Sequence, residues 1–241
     1  MSTISELHES IREVAFSGDL EALKPLIANP ALTWQPDEVY GDSFESCYQH
    51  PNLLSSDEKP IKSYVVWSLN SLGVHQERVL IITNQNLIRV KFNFDKNTVL
   101  RFEKTRLVDL DYVHYGKLVN FRGKLDPAAY IGREDNNHSA VRVHRHIPLP
   151  KPGEDIVSLS DDEKWRTFIP ILGINVPYSE DDICKEIALV ITACTVAQFV
   201  ETEQKFDAEL FVSNTNITMF IKGNVWSSLY NFLGLGVART N

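Results

Sequence analysis

Basic and apolar residues alternate in one predicted β-strand, and this pattern gives the first candidate site. Arg89 and Lys91 lie two residues apart, so their side chains point to the same face of a strand. A turn over 95–97 would place Lys91 opposite Arg101 and Arg89 opposite Glu103 on the next strand. Like charges that face each other are unfavourable unless an anion lies between them or both side chains extend into water. We predict that Arg89, Lys91 and Arg101 form a face for an anion or a membrane; the alternative is an ordinary solvated strand face.

A second candidate site lies near the end of the sequence and is apolar rather than basic. Its members are aromatic or large aliphatic residues: Trp226, Leu229, Tyr230, Phe232 and Leu233. Aromatic side chains anchor many protein–protein interfaces, so this segment predicts self-association into a homodimer. The alternative that the sequence leaves open is that the same residues cap the core of a monomer.

The sequence lacks the motifs of several common catalytic mechanisms. None of its cysteines, Cys47, Cys184 and Cys194, is followed six residues later by the arginine that clamps phosphate in cysteine phosphatases. It has no glycine-rich phosphate loop, no His-Glu-x-x-His and no Gly-x-Ser-x-Gly. His144 and His146 share one face of a predicted strand, but no third ligand follows at a regular spacing. We therefore predict no catalytic, metal-binding or cofactor-binding residues.

The composition is that of an ordinary globular protein. The chain has 241 residues, of which 43% are hydrophobic and 23% charged, and its net charge is −8. This charge argues against a uniformly basic nucleic-acid-binding protein, so no nucleic-acid partner is expected. The sequence starts without a secretory signal pattern, and its longest uncharged apolar stretch, 187–200, is shorter than the ~20 residues that span a bilayer. We expect a soluble cytoplasmic protein.

Charge is distributed unevenly along the chain. Residues 1–60 carry 3 basic and 11 acidic side chains, 61–151 carry 15 and 8, and 152–241 carry 6 and 13. The middle segment is therefore basic, at +7, between acidic segments of −8 and −7. Two interpretations remain. Either the segments pack against one another, or the middle one meets an anionic partner such as a lipid surface or an acidic protein.

The predicted elements form an α+β fold. Residues 3–28 have the apolar spacing of a helical hairpin, with Gly18 ending the first helix and Asp19 capping the second. Alternating segments with short links from 64 to 172 predict an antiparallel sheet or partial barrel. Within it, the continuous apolar run 79–82 predicts a strand buried on both faces, and alternation predicts that Leu100 points inward while Arg89, Lys91 and Arg101 point outward. Residues 208–213 predict a further short strand. A long helix over 179–203 should cover the open end of that sheet.

This long helix gives the architecture its sharpest test. Its first turn is acidic, which suits the positive end of a helix dipole. Its apolar stripe should lie on the sheet, so Ile187, Val190 and Ile191 are expected to be buried. We divide the chain into a helical hairpin with an acidic connector, 1–60, and a domain with C-terminal helices, 61–241.

Parts of the sequence resemble a known family. The stretch 77–94, ERVLIITNQNLIRVKFNF, is similar to the central segment of the tumour-protein p-sixty-three-regulated family, which includes the presynaptic protein Mover. Shorter similarities follow in the family's order at 115–116, 175–178 and 228–232. The shared unit is the homology domain that follows the Sac catalytic module of an inositol phosphatase.

The resemblance implies a pleckstrin-homology-like fold, no catalysis of its own, and self-association. The function it predicts is a non-catalytic adaptor or peripheral membrane module in vesicle trafficking or synaptic-type regulation, with weak contact to anionic membranes and an unidentified protein partner. Residues 70–76 depart from the lipid-binding pattern of that fold, because they contain no lysine or arginine. The alternative is a small enzyme or ligand-binding cone of the nuclear-transport-factor-like type that uses the polar loop 116–139.

Overall fold

The computed structural model describes residues 3–32, 40–69, 75–121, 138–145, 165–172 and 177–220. Its α-helices are α1 (Ile4–Ser17), α2 (Leu20–Ile27), α3 (Ser43–Tyr48), α4 (Glu180–Glu201) and α5 (Ala208–Phe211). Its strands are β1 (Pro60–Leu69), β2 (His75–Thr83), β3 (Asn86–Asn93), β4 (Thr98–Arg106), β5 (Leu110–Phe121), β6 (Ser139–Arg145), β7 (Trp165–Pro170), β8 (Val212–Asn214) and β9 (Ile217–Phe220). Short 3₁₀ helices lie at Pro30–Leu32 and Leu107–Asp109.

The strands form one sheet in the order β4-β3-β2-β1-β7-β6-β5-β8, with β9 also paired to β5. Two antiparallel meanders, β1 to β4 and β5 to β7, are joined by pairing between β1 and β7. Short links between sequential strands favour antiparallel pairing, because parallel neighbours need a long crossover. The predicted α+β fold with an antiparallel sheet is confirmed. The short strands β8 and β9, which run parallel to β5, add to it.

β3 and β4 pair in the register that the sequence predicts. Lys91 faces Arg101, and Arg89 faces Glu103. Cross-strand neighbours of this kind have their side chains on one face of the sheet. The three basic residues of the predicted anion face therefore lie together, with one carboxylate beside them.

The turn between β3 and β4 differs from its prediction. A turn confined to 95–97 pairs Phe94 with Thr98, but the register shifts beyond Lys91 and Thr98 faces Asn93 instead. Leu100 is the extra residue at this irregularity, and it is 46% exposed rather than turned inward as predicted. A β-bulge inserts one such unpaired residue and bends the strand that carries it.

Helix α4 is enclosed between the sheet and the N-terminal hairpin. Ile187, Val190 and Ile191 are fully buried, as predicted. The helix begins with a capping box, in which the Ser179 hydroxyl accepts from the backbone N–H of Asp182 and the Asp182 carboxylate accepts from that of Ser179. By length and composition α4 could cross a membrane, but 78% of its most apolar window is buried inside the fold. Burial on nearly all sides is what an all-round apolar helix needs in a folded core.

The N-terminal hairpin forms as predicted and packs on α4. Gly18 ends α1 with φ +72°, its N–H donates to the Val14 carbonyl, and Asp19 caps α2. A Cβ atom at Gly18 would lie 2.8 Å from the backbone nitrogen of Ala197, so the close approach to α4 requires glycine. The buried side chains of the hairpin belong to the same apolar cluster as those of α4. The division of the chain at residue 60 stays a prediction.

Two apolar clusters cover the two faces of β2. Leu80 and Ile82 belong to the main cluster, which includes α4, whereas Val79 and Ile81 belong to a second cluster that includes part of α3. Burial on both faces confirms the prediction drawn from the continuous apolar run of this strand. Cys47 lies in the second cluster, where burial raises the pKa of its thiol to about 12. A protonated and enclosed thiol acts as a packing group rather than a nucleophile.

One segment near the end of the described residues has a different structure from the predicted one. Residues 208–213, predicted as a strand, form α5 followed by β8. The Asp207 side chain accepts hydrogen bonds from the backbone N–H groups of Glu209 and Leu210. This cap starts a helical turn that the apolar pattern alone does not indicate.

Candidate anion-binding site

The face of the sheet that packs on α4 changes from apolar to basic along two strands. On β2, Leu80 belongs to the main apolar cluster, and Arg78 is the next residue on the same face. On β3, Leu87 belongs to that cluster, and Arg89 and Lys91 follow it on the same face. The concave side of the sheet is thus apolar where it contacts the core and cationic further along β2 and β3.

The curl of the sheet brings a residue of β7 to the same place. A terminal nitrogen of Arg166 lies 2.8 Å from a carboxylate oxygen of Glu103, although β7 and β4 are four positions apart in the sheet order. A cavity of about 20 Å³, with room for about one water molecule, lies beside these two residues. We name the resulting group of side chains the basic cluster. It comprises Arg78, Arg89, Lys91, Arg101, Arg166 and Glu103.

The basic cluster contains more positive than negative charge. Glu103 is its one carboxylate and accepts from Arg89 at 2.7 Å and from Arg166 at 2.8 Å. Within the part of the chain that the structure describes, Arg78, Lys91 and Arg101 form no ion pair. Five cations and one carboxylate leave the site with an excess of positive charge.

Arg78 is the most buried cation of the cluster, with 7% of its surface exposed. Its guanidinium donates to the backbone carbonyl of Glu77 at 2.7 Å and to the side-chain oxygen of Gln76 at 2.5 Å. Both acceptors are neutral, so they satisfy hydrogen bonds without compensating the charge. Burial, with the nearby charge of Arg89, lowers the pKa of Arg78 to about 10. The arginine stays cationic at neutral pH, at an energetic cost that a bound anion would offset.

Arg89 is repelled by its cationic neighbours. Burial is the main cause that lowers its pKa, and the charges of Arg166 and Arg101 lower it further, against the attraction of Glu103. Its side chain is 28% exposed, so a ligand in solvent can reach it. The arrangement favours any additional anion that enters between these side chains.

The sequence-predicted anion face is only partly as expected. Arg89, Lys91 and Arg101 lie together, and Arg101 is exposed as predicted, whereas the Arg89 side chain is only 28% exposed and so does not simply point outward into solvent. They lie on the face that carries Leu87 and the core, because the opposite face of β3 is covered by the second apolar cluster. Their role in binding anions stays a prediction. The predicted self-association residues lie outside the described residues: Trp226, Leu229, Tyr230, Phe232 and Leu233.

Sequence reasoning missed two members of the cluster, Arg78 and Arg166. A signal for Arg78 exists, because β2 pairs Leu80 with Arg89 and Arg78 is the next residue on that face. Arg166 lies 63 positions from Glu103, and their contact depends on the curl of the whole sheet. No local pattern indicates it.

His144, singled out from the sequence, and His138, immediately before the same strand, contact different carboxylates. A ring nitrogen of His144 lies 2.7 Å from Asp111, and one of His138 lies 2.9 Å from Glu180. His146 lies outside the described residues. Among the residues that the structure describes, no three His, Cys, Asp or Glu side chains form a group that could hold a metal ion.

Comparison with known proteins finds a family model and a solved domain to which this chain is similar. Residues 37–129, less than half of the chain, match the family model described as "hSac2: Inositol phosphatase". The fold is similar to "The hSac2 domain from human phosphoinositide phosphatase Sac2", with a TM-score of 0.45 and 13% identity over 72% of this chain and 86% of that one. No curated protein matches the sequence. The family model confirms the predicted resemblance at the level of this domain, and the finer family named from the sequence stays a prediction.

Proposed function

We propose that this protein is a non-catalytic module that binds a phosphate-bearing ligand in the basic cluster, and that it acts as an adaptor or a peripheral membrane module. One observation carries the proposal: Glu103 contacts Arg89 and Arg166, and three further cations, Arg78, Lys91 and Arg101, lie on the same face of the sheet with no ion pair among the described residues. A guanidinium presents paired N–H donors that match the oxygens of a phosphate group. Partial burial strengthens such contacts, because less water competes for them.

Phosphorylated inositol is the first ligand class to test. The match to a family described as an inositol phosphatase spans residues 37–129, which include every member of the basic cluster except Arg166. Several phosphate groups on one ring suit several separate cations better than a single anion does. The support lies in this overlap together with the excess of positive charge in the cluster.

A non-catalytic role agrees with the chemistry of the groups that the cluster contains. Guanidinium groups bind and orient anions rather than attack them, and every member of the cluster except Glu103 is an arginine or a lysine. The sequence also lacks the cysteine motif of the phosphatases. The alternative, a small enzyme or ligand-binding cone, gains no support from the cavity beside the basic cluster, which holds about one water molecule. A second cavity, of about 360 Å³ and lined in part by Glu9, Arg12 and Lys185, is the place on the described fold where that alternative would have to act.

We include the pleckstrin-homology-like assignment and a cytoplasmic, vesicle-associated location in the proposal. Two antiparallel meanders followed by the long helix α4 support the assignment. Each basic side chain near an anionic surface contributes only ~1 kcal/mol, so Arg89, Lys91 and Arg101 together give roughly 3 kcal/mol at most. The acidic segments on both sides of the basic one oppose binding further. Stable residence on a vesicle therefore needs a second contribution.

Self-association would supply that contribution, and it is part of the proposal. Two copies that present one basic cluster each gain from binding the same surface. The support is the resemblance and the aromatic segment 226–233. Size-exclusion chromatography with light scattering tests it; a monomer mass that persists at high protein concentration would count against the dimer.

Vesicle co-sedimentation tests the proposed function. Wild-type protein is compared with an Arg89→Gln/Arg166→Gln variant on phosphatidylcholine vesicles with and without a phosphorylated phosphatidylinositol. Loss of two phosphate contacts should weaken binding by roughly tenfold or more. The matched control is Lys24→Gln/Lys205→Gln, which removes the same charge from exposed positions elsewhere. Equal binding by all three proteins, or no binding even at low salt, would contradict the proposal.

A further inference from the structure

Glu103 occupies the position between two arginines that an anionic group of a ligand would take. Its Oε2 atom accepts from Arg89 at 2.7 Å, and its Oε1 atom accepts from Arg166 at 2.8 Å. Two guanidiniums hold a phosphate through two of its oxygens in the same way. The side chain of Glu103 is 35% exposed, so this carboxylate can move aside into solvent.

The contacts with Glu103 leave donors unused on both arginines. Beyond that carboxylate, Arg89 donates to the Ser68 hydroxyl at 3.3 Å, and Arg166 donates to the Trp165 carbonyl at 3.4 Å. Both of these hydrogen bonds are long and therefore weak. A phosphate group, which has more acceptor oxygens than a carboxylate, would satisfy more of these donors.

Glu103 is ionised at neutral pH. Burial alone would raise its pKa, but hydrogen bonds and charges from Arg166 and Arg89 bring that pKa below its ordinary value. The free protein thus carries a negative group at the centre of the basic cluster. An anion that binds between Arg89 and Arg166 must therefore displace the Glu103 carboxylate.

We infer that Glu103 is a built-in competitor for the ligand of the basic cluster, and that it selects ligands with several phosphate groups over ligands with one. The inference rests on the proposed function. A tethered carboxylate is present at a high effective concentration, so a single phosphate exchanges one anion for another and gains little.

A ligand with a second phosphate gains more. Lys91 follows Arg89 on the same face of β3 and lies opposite Arg101 on β4. These two cations form no ion pair among the described residues, so a second phosphate binds them without displacing another anion. The favourable binding free energy therefore grows with the number of phosphate groups on the ligand, whereas Glu103 is displaced only once.

A purely structural role for Glu103 predicts the opposite behaviour. If the carboxylate served only to join β4 to β7, its removal would loosen the cluster and weaken every ligand. A competitor predicts a gain in affinity instead, largest for the simplest anion. Affinity for a single phosphate thus separates the two roles.

Isothermal titration calorimetry on the full chain tests the inference with two probes, inorganic phosphate and soluble inositol trisphosphate. Glu103→Gln should bind inorganic phosphate at least about tenfold more tightly than wild type, and its preference for the trisphosphate should shrink. Glu103→Asp keeps the charge, but its shorter side chain cannot reach both arginines, so its affinity for inorganic phosphate should rise by less than that of Glu103→Gln. This variant provides the test if Glu103→Gln is poorly folded. Glu209→Gln removes an exposed carboxylate on α5 and should behave as wild type.

Each outcome decides between the claims. Unchanged or weaker phosphate binding by folded Glu103→Gln and Glu103→Asp, whatever their affinity for the trisphosphate, would overturn the inference; the proposed function would stand as long as wild type binds the trisphosphate. No binding of either probe by wild type or Glu103→Gln would overturn both. An equal gain in Glu209→Gln would assign the effect to overall charge and overturn the inference alone.

Discussion

Glu58 and Glu103 both contact cationic side chains on the same sheet, yet their surroundings differ. The Glu58 side chain is fully buried and meets a single cation, Lys104, at 2.7 Å. Thr83 and Asn86 each donate to it at 2.9 Å. One charge of each sign and a set of neutral donors satisfy this carboxylate completely. It joins the segment before β1 to the turn between β2 and β3, and no ligand is needed.

Glu103 has the opposite balance. It is partly exposed, meets Arg89 and Arg166, and lies beside further cations that form no ion pair among the described residues. The comparison shows that an ion pair by itself does not indicate a role. The ratio of cations to carboxylates distinguishes a cross-link from a binding site, since only the unbalanced cluster gains from an added anion.

The largest expected effect is the loss of stability when the balanced ion pair of Glu58 with Lys104 is removed. Glu58→Gln should lower the free energy of unfolding by about 3 kcal/mol or more, because it leaves Lys104 without its buried partner. Chemical denaturation measures this loss. Arg89→Gln, which removes a cation from the unbalanced cluster, should lose much less. If Glu58→Gln lost less than about 1 kcal/mol, the Glu58–Lys104 pair would contribute no more than a surface ion pair does. The contrast between Glu58 and Glu103 would then be contradicted.

Acid titration probes the same contrast. Burial alone would raise the pKa of Glu58, but the hydrogen bonds from Lys104, Asn86 and Thr83 lower it to about 2. Because the folded-state pKa lies below the unfolded value, ionised Glu58 contributes stability above the unfolded pKa of about 4.3, and this contribution is lost as pH falls towards 2. The free energy of unfolding should therefore fall less steeply with acid in Glu58→Gln than in wild type. Parallel acid curves for the two proteins would contradict this.

Ligand-induced stabilisation should occur only where cations are in excess. A ligand that binds only the folded state adds about 2.7 kcal/mol at a hundredfold excess over its Kd. Soluble inositol trisphosphate should therefore raise the Tm of wild type and of Lys24→Gln/Lys205→Gln, but hardly that of Arg89→Gln/Arg166→Gln. Thermal unfolding at matched ionic strength measures the shift. The same rise in all three proteins would indicate a general salt effect.

The smallest expected change in stability is that of a variant at Arg78, the most buried cation of the basic cluster. Arg78→Gln should leave the free energy of unfolding within about 1 kcal/mol of wild type, because the lost hydrogen bonds are offset by removal of a buried charge that Arg89 repels. The same variant should bind inositol trisphosphate more weakly. Denaturation and calorimetry on one preparation give both values. A stability loss as large as that of Glu58→Gln would show that Arg78 is structural.

Local sequence patterns predict the strand pairing in the basic cluster and the burial of α4. Alternation and a short turn predict the pairing of Lys91 with Arg101, and apolar spacing predicts that α4 is buried, including Ile187. These features depend on neighbours in the sequence. The sequence does not predict the bulge at Leu100, because the inserted residue is apolar, as other residues of the strand are.

The remaining features depend on contacts between distant positions. Arg166 and Glu103 are 63 positions apart, and Glu58 and Lys104 are 46 apart. A segment that reads as an acidic connector thus supplies the carboxylate of a buried ion pair. Likewise, Arg89 reads as an outward residue, because alternation cannot indicate that both faces of β3 are covered.

The most direct test of the central claim is a solution NMR titration that follows the arginine side-chain N–H signals while soluble inositol trisphosphate is added. Spectra of the Arg89→Gln and Arg166→Gln variants assign the two key signals. We predict that the signals of Arg89 and Arg166 shift most and saturate together, whereas that of Arg12, on the exposed side of α1, stays in place. Unchanged Arg89 and Arg166 signals at a saturating concentration of the probe would contradict the account.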